Sequence, residues 1–129
     1  MAQSTPKAKV VMVVDDTADV RELMTMQLRL LGYEVVEAAN GQEAVEVARQ
    51  TCPALIMMDI HMPVLDGLSA VRLIRDIKGL SKVSIVAFSA FWDGDNRQRA
   101  LDAGCNDYVN KLEGINQLSI IAQRYLPAA

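Results

Sequence analysis

The sequence lacks a long hydrophobic run. Its longest unbroken apolar stretches, Val10–Val14 and Ala54–Met58, have five residues each. A membrane-spanning helix needs roughly 20 apolar residues and the core of a signal peptide needs at least about 7. We therefore expect a soluble cytoplasmic protein with no membrane-embedded segment.

Cysteine and positive charge are also scarce. The two cysteines, Cys52 and Cys105, form no CxxC motif, which fits a reduced interior better than a disulfide scaffold. We expect both to be buried as small hydrophobic side chains. Lysine and arginine number 13 against 16 acidic residues, and the sequence pI is about 5.1. This balance disfavours a surface that collects nucleic-acid phosphates, so we expect no direct binding of nucleic acid.

What the sequence does contain is enough apolar residues for one core. Apolar residues make up 51% and charged residues 22% of the 129-residue chain, as in an ordinary globular domain. The polar segment 1–8 predicts a flexible leader, and residues 9–129 predict a single domain. Because the last helical pattern ends at about Leu126, we expect no room for a second domain.

Short β-branched or apolar runs alternate with helical patterns along the chain. The runs are Val10–Val14, Tyr33–Glu37, Ala54–Met58, Val83–Phe88 and Tyr108–Val109. This alternation predicts an α/β domain with a five-stranded parallel sheet flanked by five helices. The first and third runs have no polar face and should be central, whereas the charged second and fifth suit edges. That arrangement fits the doubly wound strand order 2-1-3-4-5.

Local signals delimit the predicted helices. Gly32 should end the first helix, Asn40 with Glu43 should cap the second, and the pair Asp66-Gly67 should begin the third. The fourth is expected over Asp95–Ala103. One continuous apolar stripe, formed by Ile115, Leu118, Ala122 and Tyr125, predicts a single fifth helix.

Chemically active side chains follow the predicted strands at their carboxyl ends. Asp15 and Asp16 follow the first strand and Asp59 the third. Ser89 follows the fourth strand, and Lys111 comes soon after the fifth. Ligands of open parallel sheets bind beyond the carboxyl ends of the strands, so we expect these five side chains to meet.

Three carboxylates placed together need cations. Each pair would repel by up to about 4 kcal/mol at 4 Å and an effective dielectric constant near 20. Lys111 supplies one positive charge, and a hard divalent ion that prefers oxygen ligands, Mg²⁺, is the natural source of the rest. Such a site could hold a phosphoryl group in line with a carboxylate nucleophile. Singly, these residues are more often helix caps, loop acids or turn hydroxyls. Their coincidence at separate strand ends favours a phosphoryl site.

The stretch Asp59–Gly67, with the sequence DIHMPVLDG, resembles the phosphoacceptor loop of bacterial response-regulator receiver domains. Further landmarks of that family follow in the right order: VVDD at 13–16, GY at 32–33, ANG at 39–41, SA at 89–90 and ALDAG at 100–104. The resemblance covers about Lys9 to Leu126, and the chain looks like a stand-alone receiver of the chemotaxis type. It implies a flavodoxin-like fold, so the strand order above rests partly on this resemblance.

The resemblance implies a role in two-component signalling for the acidic residues. Asp59 would accept a phosphoryl group from a histidine kinase, a histidine phosphotransfer protein or a small phosphodonor. Asp15, Asp16, Asp59 and the backbone carbonyl of His61 would hold Mg²⁺. The side chain of His61 is expected to face water. The protein would be a signalling switch rather than an enzyme, catalysing only its own phosphorylation and slow dephosphorylation.

The resemblance also implies a switch. Ser89 and Lys111 would each bind a phosphoryl oxygen, and Tyr108 would change its rotamer with the position of Ser89. The resulting change would alter the face formed by helix four, strand five and helix five. A downstream protein would dock there, or the phosphoryl group would pass onward in a phosphorelay.

Two features depart from the family pattern. Leu112 follows Lys111 where the family usually has proline, so we expect a trans peptide there. Phe91 and Trp92 are bulkier than usual at the start of helix four, and we expect Phe91 to restrict access to the phosphoacceptor. The missing proline motivates an alternative, a receiver-like interaction module that acts without phosphorylation. A small phosphatase is a weaker reading, because no second carboxylic acid lies two residues beyond Asp59 to act as a general acid.

Overall fold

A computed structural model describes residues 10–62, 66–90 and 94–126. The predicted leader 1–8, and the positions Phe91 and Trp92, lie outside the described residues. Strands and helices alternate in the order β1 (Val10–Val14), α1 (Ala18–Leu30), β2 (Glu34–Ala38), α2 (Gly41–Thr51), β3 (Leu55–Asp59), α3 (Gly67–Arg75), β4 (Ser84–Ser89), α4 (Gly94–Ala103), β5 (Asp107–Asn110), α5 (Lys111–Asn116) and α6 (Leu118–Tyr125).

The five strands form one parallel sheet in the order β2-β1-β3-β4-β5, which confirms the predicted topology. The two apolar strands, β1 and β3, are neighbours near the centre, and the charged strands β2 and β5 form the edges. Val14 pairs with Met58, Asp59 with Phe88, and Ser89 with Asn110. This register aligns the carboxyl ends of β1, β3, β4 and β5 at one edge of the sheet.

The sheet is covered on both faces, which explains why its central strands are uniformly apolar. Because successive side chains of a strand point to opposite faces, Met12 packs in the core with α2, α3 and α4, whereas Val13 packs in the core with α1, α5 and α6. Met57 and Met58 are completely buried, one on each side. They are core residues, as expected.

Predicted helix signals are confirmed at three sites. Asn40 caps α2 by accepting a hydrogen bond from the backbone N–H of Glu43 over 2.9 Å. Asp66 caps α3 by accepting one from the N–H of Ser69 over 3.0 Å. Gly32, just after α1, adopts a left-handed φ of +99°, which glycine tolerates without strain.

The C-terminal helical region differs from the prediction of one continuous fifth helix. Gln117, with φ −125° and ψ 28°, leaves the helical conformation and separates α5 from α6, so six helices flank the sheet in the part of the chain that the structure describes. α5 begins directly after β5, capped by the side chain of Asn110. A Cβ atom at Gly114 would lie 2.6 Å from Phe88 Cε2 and 2.8 Å from Val109 Cγ2, so glycine lets α5 pack closely on these two side chains. After the break, α6 packs against α1. None of the helices in the described ranges is long and apolar enough to cross a membrane.

The two cysteines have different environments. Cys105 is buried, as expected, but the expectation that Cys52 is buried was wrong, because Cys52 is exposed. Cys52 ends α2 in the left-handed conformation, with φ 47°, and lies at the surface turn into β3. Residue type alone predicts that a free cysteine is buried. Cys52 is exposed because of its position in a surface turn.

The cysteines yield a simple chemical prediction. Burial raises the pKa of the Cys105 thiol to about 12, so at neutral pH it has almost no reactive thiolate. We expect a thiol-alkylating reagent to modify one cysteine per native chain, at Cys52, and both cysteines in denaturant. In Cys52→Ser the native chain should stay unmodified over the same time. Equal modification rates for both cysteines in the native wild type would contradict the buried placement of Cys105.

Candidate functional site

The acidic residues expected to meet at the sheet edge do so. Asp15 follows β1 directly, and Asp59 is the last residue of its neighbour β3. Asp16 lies next to Asp15 on the way to α1. One carboxylate oxygen from each of the three lies within 4.8 Å of the others. Asp15 and Asp59 are buried, whereas Asp16 is exposed, so the cluster opens to solvent on one side.

Lys111 reaches into this cluster from the start of α5. Its Nζ lies 2.9 Å from Asp15 Oδ2 and 3.3 Å from Asp59 Oδ2. The position follows from the local fold, because Lys111 is the first residue of α5 and comes immediately after β5. The described ranges contain no cis peptide bond, which agrees with the trans peptide expected before Leu112. Lys111 thus contacts the carboxylates of both Asp15 and Asp59, even though leucine rather than proline follows it.

The second oxygen of each buried carboxylate is held by the backbone. Asp15 Oδ1 accepts a hydrogen bond from the N–H of Thr17 over 2.8 Å, and Asp59 Oδ1 accepts one from the N–H of His61 over 3.0 Å. Both Oδ2 atoms therefore face Lys111. The two side chains are oriented by the loops that follow their own strands, so the site is preorganised by short-range geometry.

Burial and charge act against each other in this cluster. Burial raises the pKa of Asp59, the His61 N–H and Lys111 oppose that rise, and Asp15 adds to it. For Lys111, burial lowers the pKa, but the hydrogen bonds and charges of Asp15 and Asp59 outweigh burial and leave the pKa raised. The ammonium is thus held charged, while burial outweighs the contacts with the His61 N–H and Lys111 and leaves the pKa of Asp59 raised.

The donor set fits Mg²⁺. Three carboxylates and one contacting ammonium leave a formal charge of −2, which a divalent cation would neutralise. Oxygen is the ligand atom that Mg²⁺ prefers, and this ion usually keeps several of its waters. The exposed side of the cluster, at Asp16, leaves space for such waters.

Ser89 and His61 are in contact, which the sequence did not suggest. Ser89 ends β4, next to β3, and is completely buried. The His61 ring places Nε2 3.0 Å from Ser89 Oγ. His61 is exposed overall, in agreement with the expectation that its side chain faces water. The contact of its ring with Ser89 was not expected. In the sequence, this contact is indicated only by the positions of His61 and Ser89 at the carboxyl ends of β3 and β4, which are neighbours in the sheet.

Tyr108 is buried on the β5 edge. It is 2% exposed and packs in the core with residues of α4, including Ala100 and Ala103. On β4 it pairs with Ala87, two residues before Ser89. Tyr108 therefore takes the buried, inward position in this structure.

Gly67 sets the geometry of the loop that carries Asp59. A Cβ atom at this position would lie 2.5 Å from both the carbonyl oxygen of Asp59 and the Cα of Ile60. These are main-chain atoms that cannot rotate away, so α3 can begin this close to the end of β3 only with glycine. Residues 63–65 of the same loop lie outside the described part of the chain.

Comparisons with known proteins agree with the sequence motifs. The family model described as the response regulator receiver domain matches residues 11–123. A transcriptional regulatory protein, PrrA of Mycobacterium leprae, is 43% identical over 101 residues, which cover 78% of this chain and 42% of that protein. The chain spans about two fifths of the length of the curated relatives it matches. Because this relative is named as a transcriptional regulator, the comparisons do not support the expectation of no nucleic-acid binding.

Solved structures show the same fold. Chemotaxis protein CheY4 of Vibrio cholerae is 27% identical, with a TM-score of 0.87 over 92% of this chain and 99% of that one. The receiver domain of a sensor histidine kinase from Pseudomonas aeruginosa is 35% identical, with a TM-score of 0.84 over 94% of this chain and 99% of that one. That domain was crystallised with a magnesium ion coordinated in its active site cleft. The predicted resemblance is therefore confirmed.

Proposed function

Because this chain belongs to the response regulator receiver family, whose members are signalling switches, we propose that it accepts a phosphoryl group on Asp59 in a Mg²⁺-dependent reaction. One observation carries the proposal. Asp15, Asp16 and Asp59 converge at one edge of the sheet, and Lys111 contacts two of them. This arrangement puts a buried carboxylate nucleophile beside a fixed ammonium.

The proposed reaction is phosphoryl transfer to a carboxylate. An oxygen of Asp59 attacks phosphorus of a phosphohistidine, a P–O bond forms and the P–N bond breaks. The electron pair of that bond leaves with the imidazole nitrogen of the donor, which takes up a proton. Water reverses the modification slowly by hydrolysing the aspartyl phosphate. The protein contributes positioning and charge neutralisation, as in other phosphoryl transfers. The His61 N–H orients Asp59, and Lys111 offsets negative charge.

The metal belongs to the same proposal. Asp15, Asp16, Asp59 and the backbone carbonyl of His61 would hold Mg²⁺, which would neutralise charge on the phosphoryl oxygens. The fit of the carboxylates supports this set, since they leave a formal charge of −2 after Lys111 is counted. The magnesium reported in the Pseudomonas receiver domain supports it further.

Phosphorylation would act as a switch through charge. A phosphoryl group adds about −1.5 to −2 charges and three strong acceptor oxygens. Ser89 and Lys111 would each bind one of these oxygens. Movement of Ser89 would alter the packing of Tyr108, which is buried two strand positions from the same end of the sheet. A differential interaction of a few kcal/mol is enough to shift two existing conformations. The face of α4, β5 and α5 would then bind a downstream protein.

The partners follow from this chemistry. We propose that a histidine kinase or a histidine phosphotransfer protein donates the phosphoryl group. We also infer a cytoplasmic location, because the two cysteines are free and one of them is exposed, which suits a reducing compartment.

Fluoroberyllate, a phosphoryl mimic, tests the proposal. Titrated with Mg²⁺ and followed by ¹⁹F NMR, it should bind wild type with one site per chain. Asp59→Asn should not bind it, and omission of Mg²⁺ should abolish binding to wild type. Asp76→Asn, which removes an exposed acid at the end of α3, is the matched control and should bind normally. A folded wild type that does not bind fluoroberyllate would instead favour an interaction module that acts without phosphorylation.

A further inference from the structure

His61 contacts both groups that the proposed switch has to couple. Its backbone N–H donates to Asp59 Oδ1 over 3.0 Å, and its ring Nε2 lies 3.0 Å from Ser89 Oγ. The ring thus connects the loop after β3 with the end of β4, 28 residues further along the chain. His61 thus links Asp59, which would carry the phosphoryl group, to Ser89, whose hydroxyl would bind that group.

We propose that His61 is a positioning residue that holds Ser89 in the resting arrangement and releases it when Asp59 is phosphorylated. This inference rests on the proposed function and deepens it, because it names the contact that opposes the switch. The backbone of His61 stays with Asp59, while its ring and the phosphoryl group compete for the hydroxyl of Ser89.

The competition follows from the hydrogen-bonding capacity of a serine. A hydroxyl has one proton to donate, and Ser89 Oγ is completely buried beside the His61 ring. Where the hydroxyl donates to Nε2, the same proton cannot also be donated to a phosphoryl oxygen. Where the ring N–H donates, the hydroxyl keeps its proton, and it is the displacement of Ser89 from the ring that breaks the 3.0 Å contact. Hydrogen bonds to charged phosphoryl oxygens are stronger than hydrogen bonds between neutral groups, so the phosphoryl group displaces the ring from Ser89. Because the contact with His61 has to be broken first, its presence lowers the fraction of chains that reach the active arrangement.

Two substitutions separate the hydrogen bond from the size of the ring. His61→Phe keeps an aromatic ring but cannot hydrogen-bond to Ser89, whereas His61→Gln keeps a hydrogen-bonding group at a similar distance from the backbone. With Mg²⁺ present, we expect fluoroberyllate to bind His61→Phe about three to ten times more tightly than wild type, the effect of losing one hydrogen bond. His61→Gln should restore the affinity close to that of wild type.

The same comparison in a Ser89→Ala background completes a double-mutant cycle. There, His61→Phe should leave fluoroberyllate affinity unchanged, because the hydroxyl on which the ring acts is gone. Equal affinities of wild type and His61→Phe, or an unchanged effect of His61→Phe when Ser89 is alanine, would overturn this inference alone. Absence of fluoroberyllate binding to wild type would overturn the proposed function and this inference with it. Urea unfolding of each variant separates these effects from general loss of stability.

Discussion

Replacing Lys111 with methionine is expected to make the stability of the fold depend on Mg²⁺. The ammonium contacts two acids whose side chains are only 2% and 4% exposed. Its loss leaves them without this positive partner, at a cost of about 2 kcal/mol in the free energy of unfolding after a discount for solvent access to Lys111. Saturating Mg²⁺ should recover most of that loss, because a ligand that binds only the folded state stabilises it.

Urea unfolding with and without Mg²⁺ measures both parts of this prediction. Lys82→Met removes an exposed lysine in the turn before β4 and serves as the matched control, with little expected effect in either condition. The Mg²⁺ affinity of Lys111→Met should also exceed that of wild type, because the cluster then carries one more net negative charge. A loss of stability that Mg²⁺ does not reverse, or an equal loss in Lys82→Met, would count against a charge-balanced site.

Gly67→Ala is expected to destabilise the fold by about 3 kcal/mol and to weaken fluoroberyllate binding at the same time. The new methyl group would lie 2.5 Å from main-chain atoms of Asp59 and Ile60, and overpacking of this kind costs about 1–3 kcal/mol or more. Relief of the clash must move either α3 or the end of β3. The second movement displaces the carboxylate of Asp59 from Lys111 and the other acids.

Gly94→Ala provides the comparison for this substitution. Among the described residues, a Cβ atom on Gly94, the first residue of α4, would meet no atom outside its own chain neighbours and helix backbone within 4 Å. We expect its free energy of unfolding, measured by urea denaturation, to stay within about 0.5–1 kcal/mol of wild type. If Gly67→Ala were as stable as Gly94→Ala and bound fluoroberyllate normally, neither the stability of the fold nor the site would require the close approach of α3 to β3.

The sheet and the acidic cluster were predictable because both follow from short-range rules. Strands covered on both faces must be apolar along their whole length, which marked β1 and β3 as central. Parallel strands end at one edge, so Asp15, Asp59 and Lys111 could be placed together from their positions after the apolar runs. The order of the strands depended in addition on the family resemblance.

The features that the sequence did not reveal depend on three-dimensional geometry. The break at Gln117 is a local change of backbone torsion within an unbroken apolar stripe, so periodicity alone predicts one helix. The exposure of Cys52 comes from a left-handed turn at the surface. The contact between His61 and Ser89 joins residues 28 positions apart, and it depends on how the loop after β3 folds over the end of β4.

Phosphorylation with a small phosphodonor in the presence of Mg²⁺, followed by intact-mass measurement, tests the central proposal most directly. Reduction of the acyl phosphate with borohydride and peptide mapping then locate the modified residue. We predict one phosphoryl group per chain, on Asp59, and none on Asp59→Asn or without Mg²⁺. A phosphoryl group on another residue, or no modification of a folded wild type that binds Mg²⁺, would contradict the account.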